Sequence, residues 1–266
     1  MPTPGPRRPR ASGTPPLGSV TNAARLLKEF RGGPTELGIS ELARRLGLGK
    51  STVHRLASTL VGERFLEQNA ETGQYRLGLS LYDLGTAVPI HKQLHEAAMP
   101  VLESLRQKTR ESVQIAVRDG REVVYVERLE SLHALQIFRR VGHRNWVHCT
   151  STGKVLLAEL ADDAVDDLLA DWELPVRTQR TIRDLPALRR EVVRVRTQGY
   201  GVNLGESEDG VTSVAAAIRT SDGGALAAIS LVGPTVRLAP STVPALAGIV
   251  TEAAAVVSRR LGYSRQ

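Results

Sequence analysis

Residues 39–60 read ISELARRLGLGKSTVHRLASTL and hold two short amphipathic segments around a glycine-containing turn. In the first segment Ser40 is the predicted N-cap, with the apolar Ile39 placed just before it. Gly47 suits the left-handed residue that closes a helix. Ser51 is predicted to cap the second helix, in which apolar residues recur at helical spacing: Val53, Leu56, Ala57 and Leu60. The pattern predicts a helix-turn-helix unit, whose second helix enters the major groove of DNA.

The face of the second helix opposite its apolar residues carries hydroxyls and cations. Its members are Lys50, Ser51, Thr52, His54, Arg55, Ser58 and Thr59. These residue types contact phosphates and base edges, and no acidic residue interrupts the face before Glu63. Arg44 or Arg45, at the end of the first helix, is expected to contact the DNA backbone. The alternative is an ordinary helical hairpin inside a larger core.

The residues that follow favour a winged helix over that hairpin. Phe65–Gln68 and Gln74–Leu77 have the composition of two short strands, joined by a turn over residues 69–73. A hairpin directly after a recognition helix is the wing of such a domain. Gln74 and Arg76 would then approach an adjacent phosphate or the minor groove. We predict a DNA-binding domain over residues 19–79 and a helical linker over residues 80–94.

Charge and composition agree with a polyanionic partner in the first third of the chain. The net charge is +7, and the first 90 residues hold twelve Lys and Arg against seven Asp and Glu. Residues 1–18 are rich in Pro and Arg, which predicts a disordered basic arm. The single cysteine, Cys149, suits a reducing cytoplasm, and neither an apolar signal segment nor a membrane span is predicted.

From residue 95 to residue 266 the pattern is mixed. Helices are predicted at residues 95–108, 151–160, 164–169, 185–198 and 242–261, and strands at residues 112–118, 122–127, 134–139, 211–219 and 225–232. Strand pairs joined by short turns and interspersed with helices predict an antiparallel sheet with helical cover. The predicted fold class is therefore α+β, with a second domain larger than the first.

The chain resembles the IclR family of bacterial regulators through motifs in the family's order and spacing. In the N-terminal part these are ISELARRLGL (39–48), KSTVHRL (50–56) and GQYRLG (73–78). In the C-terminal part they are VHCT (147–150), GKVLLA (153–158), GYG (199–201), GV (210–211), VAA (214–216) and SRRLG (258–262). The resemblance implies a winged helix joined by a helical linker to a GAF-like effector-binding domain. It also implies dimers, often paired into tetramers on DNA, that act as repressors or activators.

The resemblance also implies where an effector binds. Ser151 and Thr152 match family positions that contact a carboxylate through main-chain groups, and a helix N-terminus is suited to an anion. Asn203 stands at a position that is acidic in several members. Ser213 stands where many members have Cys, and Ser230 matches a hydroxyl on the neighbouring strand. The polar groups at 203 and 213 therefore differ from those of relatives. Family effectors are commonly small organic or aromatic acids.

Features that suggest catalysis are weak. Gly49-Lys50-Ser51 resembles the end of a phosphate-binding loop, but Arg44 stands where that loop requires glycine. Ser151-Thr-Gly-Lys154 has a frequent spacing and lacks the partner motifs of penicillin-recognising enzymes. Adjacent His148 and Cys149 are predicted to point to opposite faces of an extended strand. His91 and His95 form a helical pair without further ligands. No catalytic residue, metal or cofactor is predicted.

The expected function is a cytoplasmic, sequence-specific DNA-binding transcription regulator, controlled by a small-molecule effector. A dimer presents two recognition helices, so the operator is expected to be a near-palindrome. Two alternatives remain at this stage. One is a small-molecule enzyme with a basic N-terminal domain. The other is a small-molecule-binding adaptor that uses the winged helix for protein–protein contact and has no specific affinity for DNA.

Overall fold

The computed structural model describes residues 17–31, 33–137 and 140–264, except for the side chains of residues 89–91. The chain forms two compact units, one ending at Gly85 and the other beginning at Thr86. The predicted basic arm falls outside the described residues up to position 16. Helix α5, Pro89–Thr109, spans the predicted boundary between the linker and the second domain at residues 94–95.

The first unit has three helices, a hairpin and a fourth helix. Their bounds are α1 Gly18–Lys28, α2 Ile39–Leu46, α3 Lys50–Gly62, β1 Leu66–Gln68, β2 Tyr75–Leu77 and α4 Ser80–Thr86. Apolar side chains from α1, α2, α3 and the hairpin share one core, which includes Leu26, Leu42, Val53, Leu66 and Tyr75. Gly47 has φ 67° and closes α2. The unit is the predicted winged helix-turn-helix.

Both helices of this motif begin before the predicted cap. Ser40 and Ser51 are not N-caps: Gly38 precedes α2, Gly49 precedes α3, and neither end has a side-chain cap. The earlier start of α2 has a tertiary cause: Leu37 exchanges two main-chain hydrogen bonds with Tyr75. That bridge keeps the chain extended up to the residue before Gly38, so the helix starts directly afterwards.

The second unit is built on one six-stranded antiparallel sheet. Its elements are α5 Pro89–Thr109, β3 Ser112–Asp119, β4 Glu122–Leu129, β5 Arg144–Trp146, α6 Ser151–Ala158, α7 Asp162–Leu169, α8 Leu185–Gln198, β6 Gly201–Leu204, β7 Val211–Arg219, β8 Ala225–Pro234 and α9 Val243–Arg260. The strand order is β5-β4-β3-β8-β7-β6. The sequence did not predict the short strands β5 and β6.

Each face of the sheet is covered by helices, because strand residues alternate between two cores. Ile115, Ile229 and Ile218 pack towards α5 and α9. Ala116, Ala215 and Ala228 belong to the core that also includes residues of α6 and α8. Alternation of this kind is expected of a sheet covered on both faces. Small alanines on the second face leave room for α6 to approach the sheet closely.

The prediction of a strand at residues 134–139 is wrong for residues 134–137, which are the part of that range the structure describes. On the outer edge of β4, β5 pairs with Glu122–Val124 and Tyr125 exchanges hydrogen bonds with Gly142 and His143. Residues 134–137 form no ladder with β4. They are held instead by side chains, among them Arg237, which donates to the carbonyl of Leu135. Phe138 and Arg139 lie outside the described residues.

Helix α9, with the short turn before it, is long and apolar enough to pass a test for membrane spans, at a mean hydropathy of 1.4. Its most buried residues face the sheet and α5: Val243, Ala247, Val250, Ala253, Ala254, Val257 and Ser258. A buried apolar stripe on one side is the pattern of a core helix.

Candidate functional site

The exposed face of α3 gathers the residues that the sequence predicted. Lys50, Ser51, Thr52, His54, Arg55, Ser58 and Thr59 are all exposed. The opposite face buries Val53, Ala57 and Leu60 in the core of the unit. Because burial of one face fixes the rotation of the helix, the polar side chains share the outer face. Thr59 differs from its neighbours, since its hydroxyl donates to the carbonyl of Arg55.

The cations near α3 fall into two groups. Arg44 and Arg45 both contact Glu41, each with an N–O distance of 2.6 Å. Hydrogen bonds from these two guanidinium groups lower the pKa of Glu41 to about 2. Lys50 and Arg55 form no ion pair with any described residue. Glu41 therefore offsets one of the two charges on α2, whereas no described acidic residue offsets either charge on α3.

A groove of about 510 Å³ separates α3 from α1. Thr52, Arg55 and Thr59 line it from α3, and Ser19 and Asn22 line it from α1. Val20, Ala23, Leu56 and Leu60 also line the groove, so much of its surface is apolar and Arg55 is its one cation. The three α3 residues thus lie along one side of the predicted recognition surface.

The wing carries the two residues assigned to it. Glu67 pairs in register with Arg76, and their side chains form an ion pair of 2.9 Å. The side chain of Gln74 is exposed at the end of the turn. Gly73 has φ 68°, and Asn69 accepts hydrogen bonds from two amides of the turn. Of these two assigned residues, Arg76 is paired with an acidic side chain and Gln74 is not.

In the second unit the start of α6 is held tightly against its surroundings. The hydroxyl of Thr150 caps the helix by accepting from the amide of Gly153 at 3.1 Å. A Cβ atom at Gly153 would lie 2.3 Å from the carbonyl oxygen of Val147, and one at Gly201 would lie 2.6 Å from that of Ser151. Only glycine permits these approaches. The cap engages the third amide and leaves the first two, of Ser151 and Thr152, without an intrahelical partner.

Polar side chains from three strands share the sheet face next to that helix start. Ser213 lies in register with Asn203, and its Oγ is 2.8 Å from the Oγ of Ser151. Ser230 is completely buried, and its hydroxyl has no hydrogen-bond partner. The buried hydroxyl of Thr152 is unpartnered as well. The structure thus brings the five predicted residues to the α6 side of the sheet, although Asn203 is occupied elsewhere. Its amide binds Ser207 and the main chain of Glu206, which fixes the turn after β6.

A small cavity of about 10 Å³, with room for about one water molecule, lies on this face. Of the predicted residues, Asn203 and Ser213 line it. The sequence analysis missed five further polar lining residues: Gln114, Arg128, Asn145, Thr150 and Ser207. A signal existed for Gln114, because a glutamine inside the apolar run 113–117 is a buried polar candidate. Asn145 had none, since the strand that carries it was not predicted.

Beside the cavity lies a buried charge cluster that involves Lys154. Its Nζ is 2.7 Å from Glu206 and 3.1 Å from Glu191. Burial raises the pKa of Glu206, opposed by the Lys154 charge. Burial would also raise the pKa of Glu191, but hydrogen bonds from Arg194 and the charge of Lys154 outweigh it and lower that pKa. The cluster joins α6 and α8 to the turn after β6.

The features that suggested catalysis have structural partners. Ser151 binds Ser213 and Lys154 binds two carboxylates, so the Ser-x-x-Lys spacing does not form a nucleophile–base pair. His148 and Cys149 lie in a 3₁₀ turn rather than the predicted strand, because this turn leads directly into α6. Burial lowers the pKa of His148 to about 4 and raises that of Cys149 to about 12. A thiol with so high a pKa is a poor nucleophile.

No group of three or more metal-binding side chains occurs among the residues that the structure describes. His95, one of the predicted helical pair, contacts Glu127 at 2.8 Å. The side chain of its partner, His91, lies outside the described set.

Comparison with known proteins finds a family match for each of the two units. Residues 19–70 match the IclR helix-turn-helix domain, and residues 87–259 match the C-terminal domain of bacterial IclR transcriptional regulators. The regulator XynR of Escherichia coli is 33% identical over 94% of this chain and 99% of its own. KdgR of the same organism is 32% identical over 86% of this chain and 87% of its own. An IclR homologue from Microbacterium hydrocarbonoxydans, solved with 4-hydroxybenzoate, has TM-score 0.82 and 32% identity, covering 93% of this chain and all of its own.

Proposed function

Because this chain belongs to the IclR family, it is a DNA-binding transcription regulator with a C-terminal effector-binding domain, and we propose which residues perform each task. We assign DNA binding to residues 19–79, the connection to residues 80–94 and effector binding to residues 95–266. The matched range 19–70 lies within the first of these segments, whereas the matched range 87–259 begins within the connection and covers most of the third. The protein acts on DNA in the cytoplasm as a regulator of transcription.

Helix α3 is the element that enters the major groove. The observation that carries this assignment is its outer face, on which Lys50 and Arg55 lack any ion-pair partner in the described part of the chain. Arg55 is the leading candidate for a base contact, since arginine binds guanine in two-pronged geometry. Thr52, His54, Ser58 and Ser51 supply shorter contacts. Arg44 and Arg45 contribute less, because Glu41 contacts both of them and offsets one of their two charges.

Helix α4 supports a dimer. None of its residues is buried, and the side chains of Leu79, just before it, and of Tyr82 within it are about 70% exposed. A cluster of large exposed apolar side chains marks an interaction surface. We assign it to a second copy of this chain, because two recognition helices match a near-palindromic operator with half-sites spaced by roughly 34 Å. Pairing of dimers into tetramers is compatible with this arrangement.

The effector site lies at the start of α6 and on the adjacent sheet face. The amides of Ser151 and Thr152 provide an anion-binding helix terminus. The unpartnered hydroxyls of Thr152 and Ser230 support a polar ligand, because a buried hydroxyl without a partner costs free energy. The ligand is therefore an organic acid, in keeping with the 4-hydroxybenzoate bound by the similar Microbacterium protein. To regulate, it must bind the DNA-bound and free forms with different affinity.

The decisive experiment is fluorescence polarisation of the full-length protein on its own upstream DNA. Scrambled DNA is the control, and two salt concentrations are compared. We expect tight binding that prefers the upstream DNA and weakens steeply with salt, because phosphate contacts release counterions. No binding to any DNA at low salt would contradict this function and favour the adaptor.

A further inference from the structure

We propose that the N-terminal arm, residues 1–16, binds DNA beside each half-site, with Arg7, Arg8 and Arg10 in the minor groove that flanks the recognition helix. This inference rests on the placement of α3 in the major groove proposed above. It adds a DNA-binding element separate from the helix-turn-helix and the wing. The family match of the first unit begins at residue 19, so it assigns no role to the arm.

The arm joins the first unit at the edge of the recognition surface. It leads into Leu17, the residue directly before α1, which is 72% exposed. Ser19, in the first turn of α1, lines the groove whose other wall holds Arg55 of α3. Since Arg55 is the leading candidate for a base contact, the start of α1 lies beside the surface assigned to DNA. The arm therefore leaves the unit next to the bound DNA.

The arm and the helix that follows it carry charge of one sign. The first acidic residue of the chain is Glu29, and five cationic side chains precede it: Arg7, Arg8, Arg10, Arg25 and Lys28. The first turn of α1 has neither an acidic side chain nor a side-chain cap, and the amides of a helix N-terminus attract anions. Helix α3, across the groove, is cationic as well and contains no acidic residue. The arm therefore meets no counter-charge on α1 or α3, and DNA bound on α3 is the polyanion nearest to it.

The length of the arm fits the distance that it has to span. A chain extends by at most about 3.3–3.6 Å per residue, so Arg10 can lie up to about 25 Å from Leu17, and Arg7 up to about 35 Å. One turn of B-DNA measures about 34 Å, so the minor groove beside an occupied major groove is centred about 17 Å away along the axis. The three arginines can therefore reach that groove from the start of α1.

The composition of the arm suits the minor groove. Arginine is a side chain that inserts into narrow minor grooves, because the negative potential there is enhanced. Six of the sixteen residues of the arm are proline, and a proline-rich chain has fewer conformations to lose when it binds. Homeodomains divide the work in the same way, with one helix in the major groove and an arginine-containing arm in the adjacent minor groove.

The test is fluorescence polarisation of the full-length protein on its upstream DNA over a series of salt concentrations. The variant that combines Arg7→Gln, Arg8→Gln and Arg10→Gln, called the arm variant, keeps the length and the prolines of the arm. We expect it to bind at least tenfold more weakly than the parent at low salt. The slope of log affinity against log salt should fall by about 2 or more, since each lost phosphate contact removes about 0.9. A smaller change in the slope would overturn the proposal.

Two further proteins assign the effect to the arginines of the arm. The combination of Arg183→Gln, Arg190→Gln and Arg259→Gln removes an equal charge from exposed positions of the second unit and should leave affinity and salt slope unchanged. Deletion of residues 1–16 should weaken binding as much as the arm variant does. Equal losses in the arm variant and the charge control would show that net charge is responsible. A deletion that binds as tightly as the parent would contradict the proposal.

Hydroxyl-radical footprinting on the same DNA locates the contact. The parent should protect sugars in the minor groove about half a turn from the centre of each recognition-helix contact, which is about 5 base pairs. The arm variant should lose this protection and keep the rest of the footprint. A footprint that is the same in both proteins would refute the placement of the arm in the minor groove.

The outcomes separate the role of the arm from the function of the protein. Thermal unfolding of the same samples should give the arm variant the Tm of the parent, so a loss of affinity is not a loss of folding. If the arm variant and the parent bind upstream DNA with equal affinity and equal salt slope, the role of the arm is refuted and the regulator function stands. If the parent binds no DNA even at low salt, both are refuted.

Discussion

The Oγ atoms of Ser151 and Ser213 lie 2.8 Å apart, which joins the first residue of α6 to the interior of β7. The two residues are 62 positions apart in the chain. Their hydrogen bond lies between the helix terminus and the polar sheet face assigned to the effector. The bond therefore reports on the integrity of the site.

Ser213→Ala should lower the free energy of unfolding by about 1–3 kcal/mol, because the buried hydroxyl of Ser151 loses its partner. Urea denaturation of the full-length protein measures the change. Ser241→Ala, at an exposed serine before α9, is the matched control and should stay within about 0.5 kcal/mol of the parent protein. Equal stability of Ser213→Ala and the parent would show that the pair is not bonded in solution.

Arg55→Ala should weaken binding to the operator by about 1–3 kcal/mol. Arg55 has no ion-pair partner among the described residues, and it lies on the face of α3 that is predicted to enter the major groove of DNA. Arg44→Ala should cost less, because Glu41 already offsets that charge. Fluorescence polarisation gives both affinities. Arg190→Ala removes an equal charge from an exposed position on α8 and should leave affinity unchanged. A larger loss for Arg44→Ala than for Arg55→Ala would reverse the assignment.

Lys154→Met should destabilise the protein by about 3–5 kcal/mol, because Glu206 is then buried without a counter-charge. The double variant with Glu206→Gln should recover part of that loss, as thermal or urea unfolding would show. If the double variant is no more stable than Lys154→Met, the pair does not carry the effect.

The same carboxyl predicts a pH dependence. The pKa of Glu206 is raised in the folded protein, so the folded state binds its proton more tightly than the unfolded chain. Its contribution to stability is therefore fully present below the ordinary value of 4.5 and declines as pH rises through the folded pKa. Lys154→Met should steepen this decline, and the double variant should abolish it. Unfolding measured in urea from pH 4 to pH 8 tests the direction, and a Lys154→Met variant that gains stability with rising pH would contradict it.

Gly153→Ala should disrupt the start of α6, because the new Cβ would lie 2.3 Å from main-chain atoms of Val147. Loss of about 2 kcal/mol or more is expected, since overpacking against backbone cannot be relieved by a side-chain rotation. Gly248→Ala is the control: it is also in a helix, meets nothing within 4 Å, and should gain about 1 kcal/mol. Thermal unfolding of the two variants should therefore shift in opposite directions.

Leu79→Asp combined with Tyr82→Asp should convert the proposed dimer to monomer, because charges at the α4 surface oppose its burial against a second copy. Sedimentation velocity measures the species present. Val236→Asp adds a charge at a residue that is 84% exposed and should leave the dimer intact. An unchanged sedimentation coefficient for the double variant would place the interface elsewhere.

Several features followed from local sequence alone. The spacing of Val53, Ala57 and Leu60 fixed which face of α3 is buried, and hence which hydroxyls and cations are exposed. Helix α8 and strand β7 have the bounds that periodicity predicts, Leu185–Gln198 and Val211–Arg219. These segments are long and regular, so the local pattern of apolar residues predicts them without reference to distant residues.

Features that depend on distant partners could not be predicted in this way. The start of α2 is set by the bridge from Leu37 to Tyr75, and the edge strand that pairs with β4 is β5 rather than residues 134–137. Arg128 and Gln114 become neighbours only through the register of β3 and β4. Sequence determined which segments are amphipathic and which are basic, because those properties are local. Tertiary structure decided which polar groups share a cavity and which charges are already paired, because both depend on contacts between residues far apart in the chain.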